Sequence, residues 1–306
     1  MKYYAKLLWL GEYSVIRGSH ALASPYPHFS GRWQFAGRGR ADSRQQQLPA
    51  FAAYLENLER TEPLPAALDW RRFQRELAEG LYFDSDIPTG YGLGSSGALC
   101  AAVYHRYARE RIGRDARARY SELREQLARL ESFFHGSSSG ADPLICYLDQ
   151  PVLLLSNGKI QPAVLPNLPN GTSYRFFLLD TRRQRQTGPL VNHFVECCRR
   201  PSFANHVQTQ LIPRTNRAIQ AMLAGDWPEL YERWRQISAF QWEHFQRMIP
   251  DAVRSIWKAS LDHDAFSLKL CGAGGGGYLL GFAADYYLTS AFLKAHSLQE
   301  HITSLP

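Results

Sequence analysis

One segment of the chain places glycines and hydroxyl side chains directly before a predicted helix. It reads Pro88-Thr89-Gly90-Tyr91-Gly92-Leu93-Gly94-Ser95-Ser96-Gly97-Ala98. Glycines allow backbone N–H groups to point at an anion, and the N-terminus of a helix adds the positive end of its dipole. Hydroxyl groups at the helix start can bind a phosphate or its magnesium ion. The segment therefore predicts a phosphate-binding loop.

The segment matches neither of two common phosphate-binding motifs, the Walker A loop and the dinucleotide-binding fingerprint. It is not a Walker A loop, because no Gly-Lys-Ser/Thr follows it. Its GxGxG spacing differs from the dinucleotide fingerprint, and Glu110, the candidate acid about 20 residues further on, lies inside the predicted helix. A plain glycine-rich turn that caps a helix is the remaining structural interpretation.

Two further segments could take part in chemistry. The run Gly272-Ala273-Gly274-Gly275-Gly276-Gly277 lies between strand-like segments at 266–271 and 278–282. It predicts close backbone approach to a ligand or another loop, and a tight hairpin explains it almost as well. Near the N-terminus, Lys6 precedes Gly11 and Glu12. Taken alone, such a lysine is usually a solvated surface residue.

The composition is ordinary for a folded globular protein, and its net charge is positive. The chain has 306 residues, 45% of them hydrophobic, and a formal net charge of +7 at pH 7. This charge comes from 29 Arg and only six Lys. Because no aromatic-interleaved basic tract or helix-turn-helix signature occurs, we expect most of the arginines on solvated faces and no nucleic-acid partner.

Cysteine usage and hydropathy bear on the compartment. The five cysteines are Cys100, Cys146, Cys197, Cys198 and Cys271, with no CxxC spacing. This pattern disfavours a disulfide framework and fits a reducing compartment. Glu12 interrupts the first apolar run too early for a signal peptide, and no stretch approaches the ~20 apolar residues of a membrane span. We therefore expect a cytoplasmic protein without a membrane partner.

The predicted elements mix strands and helices without strict βαβ alternation, which predicts an α+β fold. Strand, turn and strand open the chain, and an exposed loop follows at 37–47. Helices are predicted at 51–60, 70–80, 96–111 and 117–134, with a strand at 81–87, before a small-residue loop at 135–142. Strands at 152–155, 160–165 and 174–179 precede four helices near 190–198, 206–224, 227–245 and 250–260, and a last helix follows the strand-like segments around the glycine run. The turn formers of 166–171 mark the best candidate boundary, giving domains 1–168 and 169–306.

Taken together, the three segments resemble the GHMP kinase superfamily. The first motif is Ala5-Lys6-Leu7-Leu8-Trp9-Leu10-Gly11-Glu12-Tyr13-Ser14-Val15-Ile16-Arg17-Gly18, the second is the loop at 88–98, and the third is the segment at 270–277. They occur in the superfamily's order from residue 5 to residue 283. The resemblance implies an N-terminal domain like ribosomal protein S5 domain 2 and a ferredoxin-like C-terminal domain.

Within the superfamily, the mevalonate kinase branch is similar in two places. Glu131 is followed by His135-Gly136-Ser137-Ser138-Ser139-Gly140-Ala141-Asp142, so that its glutamate and aspartate are eleven residues apart. In that branch a helix supplies the glutamate and the following Ser-Gly-x-Asp supplies a catalytic aspartate. Asp180-Thr181-Arg182 followed by Thr187 resembles the branch's threonine-bearing loop near the active site.

The resemblance also implies roles for individual residues. Asp142 would orient or deprotonate the acceptor hydroxyl, and Lys6 would assist it. Magnesium would be held by Ser96 and Glu131. ATP would contact Gly90, Gly92, Leu93, Gly94, Ser95, Ser96, Gly97, Gly274 and Gly275, and the acceptor would contact Glu12, Tyr13, Thr187 and Gly274.

The chain departs from the branch's usual pattern at four positions. Tyr13 stands where the first motif usually has histidine, and Gly97 stands where the second usually has alanine. Cys271 replaces the usual hydroxyl residue before the third motif, and Pro143 follows the aspartate. Since Tyr13 falls near the family's substrate pocket, these departures concern the acceptor more than the phosphoryl transfer.

The expected activity is ATP- and magnesium-dependent phosphorylation of a small alcohol, with mevalonate as the first candidate. A phosphorylated acid such as phosphomevalonate is an alternative, favoured by the basic segment Arg182-Arg183-Gln184-Arg185. A sugar or an amino alcohol is another. Outside the kinases, a Rossmann oxidoreductase and a non-catalytic nucleotide-binding protein stay open. A homodimer is compatible with the sequence, which gives no account of the oligomeric state.

Overall fold

The computed structural model describes residues 1–36, 47–184, 187–296 and 300–303. The chain forms two compact units that are discontinuous in sequence. The first consists of Met1–Lys6, Pro25–Thr89 and Leu93–Gln150, and the second consists of Leu7–Ser24, Gly90–Gly92 and Pro151–Pro306. The predicted loop at 37–47 falls, except for residue 47, outside the described residues.

Strands and helices alternate irregularly along the chain. The strands are β1 (Tyr3–Leu10), β2 (Ala21–Phe35), β3 (Leu81–Ser85), β4 (Val152–Leu154), β5 (Ile160–Pro162), β6 (Arg175–Asp180), β7 (Phe266–Leu270), β8 (Tyr278–Ala283) and β9 (Glu300–Thr303). The helices are α1 (Gln47–Thr61), α2 (Trp70–Ala78), α3 (Ser95–Tyr107), α4 (Tyr120–His135), α5 (Ala141–Leu148), α6 (Thr187–Cys197), α7 (Pro201–His206), α8 (Ile212–Ala224), α9 (Trp227–His244), α10 (Arg254–Asp262) and α11 (Tyr286–Ala295).

In the first unit, helices pack closely around α3. β3 runs antiparallel to the second half of β2, with Gly31 opposite Ser85 and Phe35 opposite Leu81. α3 contacts both α4 and α5. Its Ala98, Ala101 and Ala102 are fully buried, and such small side chains allow helix axes to approach closely. This packing places the N-terminus of α3 beside the start of α5.

A buried carboxylate, Glu76 of α2, ties this unit together. Its oxygens accept hydrogen bonds from Arg72 Nε at 2.8 Å, from Arg106 Nε at 2.7 Å and from the Tyr107 hydroxyl at 2.7 Å. Burial alone would raise the pKa of Glu76, but these hydrogen bonds outweigh it and lower the pKa to about 2. Glu76 therefore stabilises the fold chiefly in its ionised form.

We expect Glu76→Gln to lower the free energy of unfolding at neutral pH by about 3 kcal/mol, the equivalent of its pKa shift. Because the folded pKa lies below the ordinary value of 4.5, the stabilisation is present above that value and is lost as the pH falls towards about 2. Urea unfolding of both proteins across this acid range measures it. Glu79→Gln, which alters an exposed pair with Arg75 at 4.0 Å, is the matched control. Equal acid sensitivity of wild type and Glu76→Gln would contradict the assignment.

In the second unit, an antiparallel sheet has the strand order β7-β8-β6-β9. All residues of β7 and β8 are buried, and α9 packs on β7. Phe176 of β6 stacks on Phe282 of β8 with ring centroids 4.2 Å apart. The start of β2 pairs with β4, which pairs with β5, both antiparallel. The glycine run of the third motif therefore connects two buried, paired strands, β7 and β8.

The predicted elements are largely confirmed, with four differences. Helix α5 begins at Ala141, inside the segment predicted as a loop, and it tolerates Pro143 because this residue falls in its first turn, where a missing N–H costs nothing. The predicted helix at 206–224 contains a π-helical turn, Val207–Leu211, between α7 and α8. α7, except for His206, and β9 were not predicted. None of the helices in the described ranges is long and apolar enough to cross a bilayer.

Candidate active site

The backbone before and at the start of α3 leaves N–H groups available to an anion. Gly90, Gly92 and Gly94 adopt φ values of 79°, 80° and 76°, which only glycine adopts readily. Gly94 is the N-cap of α3, and no side chain caps the helix there. The first N–H groups of α3, from Ser95 onwards, therefore keep their hydrogen-bonding capacity for a ligand.

Lys6 and Asp142 form an ion pair beside this helix start. Lys6 Nζ lies 2.8 Å from Asp142 Oδ1, and the two side chains are 5% and 36% exposed. The Lys6 backbone N–H donates to the Leu93 carbonyl at 2.8 Å. A Cβ on Gly94 would fall 2.8 Å from Lys6 Cγ, so glycine at this position makes room for the lysine side chain. The pair is thus fixed directly against the second motif.

Two features of α5 hold Asp142 in place. The aspartate lies in the first turn of the helix, where the helix dipole favours a negative charge. Gly140, the N-cap, has a φ of 71° and lies so close to α4 that a Cβ would fall 2.1 Å from the Arg124 carbonyl oxygen. The glycine of the Ser-Gly-x-Asp motif is therefore required for the approach of α5 to α4.

Glu131, near the end of α4, is buried beside this pair. Ser96 donates to its Oε1 at 3.0 Å, and Ser138 donates to its Oε2. Burial, together with the negative charge of Asp142, raises the pKa of Glu131, and the two hydroxyls and Lys6 oppose this only in part. The carboxylate therefore lies where additional positive charge would stabilise it.

The donor set fits a magnesium ion. Ser96 and Glu131 supply hard oxygen atoms at one point. Among the described residues, no group of three or more His, Cys, Asp or Glu side chains forms a metal cage. Magnesium in nucleotide sites usually takes one or two protein oxygens and completes its shell with phosphate and water. A divalent cation here would also provide the positive charge that the buried Glu131 favours.

In the second unit, the glycine run between β7 and β8 is held by its backbone. The Gly275 N–H donates to the Met248 carbonyl at 2.6 Å, and the Gly277 N–H donates to the Arg183 carbonyl at 2.6 Å. The Thr181 hydroxyl donates to the Gly277 carbonyl at 2.7 Å. These contacts fix the shape of the loop and engage the N–H of Gly275.

Two residues of the first motif are also bound to this region. Glu12 forms an ion pair with Lys269 of β7, and the two side chains are 2% and 0% exposed. Tyr13, with a φ of 61°, donates its hydroxyl proton to the Ala273 carbonyl at 2.6 Å. Both side chains are buried. The first motif therefore holds the strand and the loop of the third motif.

The structure places the predicted residues in two groups. Lys6, Leu93, Gly94, Ser95, Ser96, Gly97, Glu131 and Asp142 lie in the first unit, and Gly90, Gly92, Glu12, Tyr13, Gly274 and Gly275 lie in the second. Thr187 begins α6, and its side chain lies outside the described part of the chain. In the first group Lys6 contacts Asp142 and Ser96 contacts Glu131, and in the second group Tyr13 contacts the glycine run.

Sequence reasoning gave no role to four residues of these groups. Ser138 holds Glu131, and His135 lies with Nε2 at 3.1 Å from Ser96 Oγ. His135 follows Glu131 by four residues on one helix, so their shared face was a usable signal. Thr181 and Lys269 bind partners far away in sequence, which spacing does not reveal.

Comparison with known proteins agrees with this geometry. Residues 65–150 match the family model of the GHMP kinases N terminal domain. The chain carries a GHMP kinase N-terminal domain. It contains the uncapped start of α3, Glu131 and Asp142. A search of curated protein sequences found no match.

Solved structures of GHMP kinases have the same fold. The L. major mevalonate kinase bound to R-mevalonate matches with a TM-score of 0.65 and 16% identity, over 99% of this chain and 94% of that one. The Streptococcus pneumoniae phosphomevalonate kinase with phosphomevalonate and AMPPNP gives 0.67 and 14%, over 99% of both chains. The Lactococcus lactis galactokinase with galactose gives 0.66 and 14%, over 99% and 92%. The resemblance and the two-domain α+β fold class of the GHMP kinases are confirmed.

Proposed function

We propose that this GHMP kinase homologue transfers the γ-phosphoryl group of ATP to the hydroxyl of a small alcohol, with mevalonate as the first candidate. The observation that carries the proposal is the Lys6–Asp142 ion pair of 2.8 Å beside the uncapped N-terminus of α3. Phosphoryl transfer requires mainly positioning and charge neutralisation. A fixed ammonium, a carboxylate and free helix N–H groups supply both.

The residues of the first unit divide this work. The N–H groups at the start of α3 bind the phosphate oxygens of the donor. Asp142 accepts a hydrogen bond from the acceptor hydroxyl and takes its proton, or orients it, as the acceptor oxygen attacks. The Lys6 ammonium stabilises the negative charge that develops there. Magnesium, held by Ser96 and Glu131, would neutralise phosphate charge when bound.

Several observations support an acceptor from the mevalonate branch. Glu131 and Asp142 keep the branch's spacing and lie together around Ser96 and Lys6. Structures of mevalonate kinases and a phosphomevalonate kinase share the fold. At 14–19% identity these likenesses support only the fold. The proposal for the acceptor therefore rests on the site residues.

A phosphorylated acid is the second candidate acceptor. Arg182 and Arg183 are exposed on the segment that binds the glycine run through the Arg183 carbonyl. Arg182 adopts a φ of 54° and its N–H donates to Asp180 Oδ1 at 2.7 Å, which shapes the turn. Two exposed arginines on that segment favour a phosphate monoester over a neutral sugar. Arg185 belongs to the same basic segment but lies outside the described residues.

The test is ADP release by the purified protein with ATP, with and without magnesium, and with one acceptor at a time. Mevalonate, phosphomevalonate and galactose form the panel, and each acceptor is titrated to obtain kcat/KM. We expect magnesium-dependent ADP release that requires an acceptor, with mevalonate the best of the three. A clear preference for phosphomevalonate would establish the second candidate instead.

Two outcomes would overturn the kinase proposal. One is AMPPNP binding without acceptor-dependent ADP release for any member of a wider panel of sugars and amino alcohols, which would indicate a non-catalytic nucleotide-binding protein. The other is tight NAD binding without affinity for ATP, which would favour an oxidoreductase. Release of ADP in the absence of any acceptor is subtracted as hydrolysis by water.

A further inference from the structure

The first turn of α3 lies directly against the backbone of Asp142. A Cβ on Gly97 would fall 2.9 Å from the carbonyl carbon of Asp142, 2.9 Å from the nitrogen of Pro143 and 3.1 Å from Asp142 Cβ. Real Cβ atoms essentially never approach another heavy atom within 3.0 Å. Because two of the three contacted atoms belong to the backbone, rotation of a side chain cannot relieve the overlap.

The helical conformation of Gly97 does not itself require glycine. Gly97 lies inside α3, and a glycine there costs a helix up to about 1 kcal/mol relative to alanine. The space around it does require glycine, since the residue is buried against the start of α5. Pro143, also buried, fixes its own φ near −65° and so limits how far the facing backbone can adjust.

We infer that Gly97 is a positioning residue for Asp142: its missing side chain sets the distance between α3, which carries Ser96, and the aspartate that faces the acceptor. This inference rests on the proposed function, because it assigns Asp142 to the reaction. The Asp142 side chain is held from one side by Lys6, through the ion pair of 2.8 Å. Gly97 fixes the backbone of the residue, because α3 and Asp142 lie so close that no room is left for a Cβ between them.

A methyl group at position 97 would therefore move Asp142 away from the phosphate-binding helix. The overlap requires a shift of about half an ångström or more, and misplacement on the 1 Å scale costs up to about 100-fold in rate. The N–H of residue 97 is retained in the alanine variant, so the phosphate-binding groups of α3 stay in place. The loss is thus expected in kcat and not in nucleotide affinity.

The experiment compares wild type, Gly97→Ala and Gly188→Ala. Gly188 is the control because it is a glycine of α6 around which a Cβ would meet no described atom within 4 Å. Turnover is measured as ADP release with the best acceptor of the panel, AMPPNP affinity by calorimetry, and the position of Asp142 by crystal structures of wild type and Gly97→Ala. For Gly97→Ala we expect kcat to fall by about 10–100-fold, AMPPNP affinity to change less than about twofold, and Asp142 to move away from α3. Gly188→Ala should retain the wild-type kcat.

Failure of the inference differs from failure of the proposed function. If wild type turns over an acceptor and Gly97→Ala does so equally well, the inference is wrong and the kinase proposal stands. The inference is also wrong if turnover falls while Asp142 keeps its wild-type position, or if kcat and AMPPNP affinity fall together. If wild type turns over no acceptor, the proposed function fails, and the inference that rests on it fails as well.

Discussion

Replacement of Asp142 by asparagine is expected to reduce kcat by about 10²–10⁴-fold, the range contributed by a positioned acid or base. Asparagine has the shape of the aspartate but neither its charge nor its capacity to take a proton. It also removes the ionic partner of Lys6, now 2.8 Å away. ADP release at saturating ATP and acceptor measures the change. Affinity for AMPPNP should stay within about threefold of wild type, because the N–H groups of α3 are unaltered.

The control for this variant is Asp149→Asn at the other end of the same helix. Asp149 has a φ of 55°, a conformation that asparagine also tolerates, and its carboxylate lies 3.6 Å from Arg114. This variant should keep the wild-type kcat. Near-normal turnover by Asp142→Asn, or an equal loss in Asp149→Asn, would refute the role assigned to Asp142.

Replacement of Lys269 by methionine is expected to lower the free energy of unfolding by about 3–5 kcal/mol, the cost of leaving one charge of a buried pair without its partner. Lys269 is fully buried, is paired with Glu12, and lies 5.0 Å from the centre of the Trp234 ring. Methionine fills similar space but leaves the Glu12 carboxylate without this cation. Denaturant unfolding followed by tryptophan fluorescence gives the difference.

Two companion variants separate charge from packing. Glu12→Gln combined with Lys269→Met removes both charges, so it should regain most of the lost stability, because neutral replacement of a buried pair is often tolerated. Lys258→Met breaks an exposed pair with Asp262 at 3.3 Å and should cost less than about 1 kcal/mol. If Lys269→Met unfolds within about 1 kcal/mol of wild type, the pair is not a major source of stability.

The strands and helices were largely predictable, because their periodicity and glycines are local signals. The exception with functional weight is α5. Its Ser-rich approach indicated a loop that ends at Asp142, yet the helix begins at Ala141 with Pro143 in its first turn, where proline is tolerated. Asp142 was therefore recognised by its spacing from Glu131 while its position on a helix was missed.

Long-range contacts limit how much of the site could be predicted from the sequence. Lys6, taken alone, had the features of a surface residue, and its burial against Asp142 depends on a contact 136 positions along the chain. Lys269 belongs to a correctly predicted strand whose sequence, Phe-Ser-Leu-Lys-Leu, alternates apolar and polar residues and so indicates one exposed face, yet all five residues of β7 are buried. Pairing of Lys269 with Glu12 across 257 positions could not be derived from either segment.

The division of the two units has a consequence for how the polypeptide is made. Leu7–Ser24 belongs to the same unit as Pro151–Pro306. This early segment of the nascent chain therefore cannot pack in its unit until the second half of the chain has been synthesised. The second unit therefore cannot fold as a separate domain during translation. Its assembly depends on sequence-distant contacts, which slow folding, and neither unit corresponds to one continuous stretch of gene that could be expressed alone.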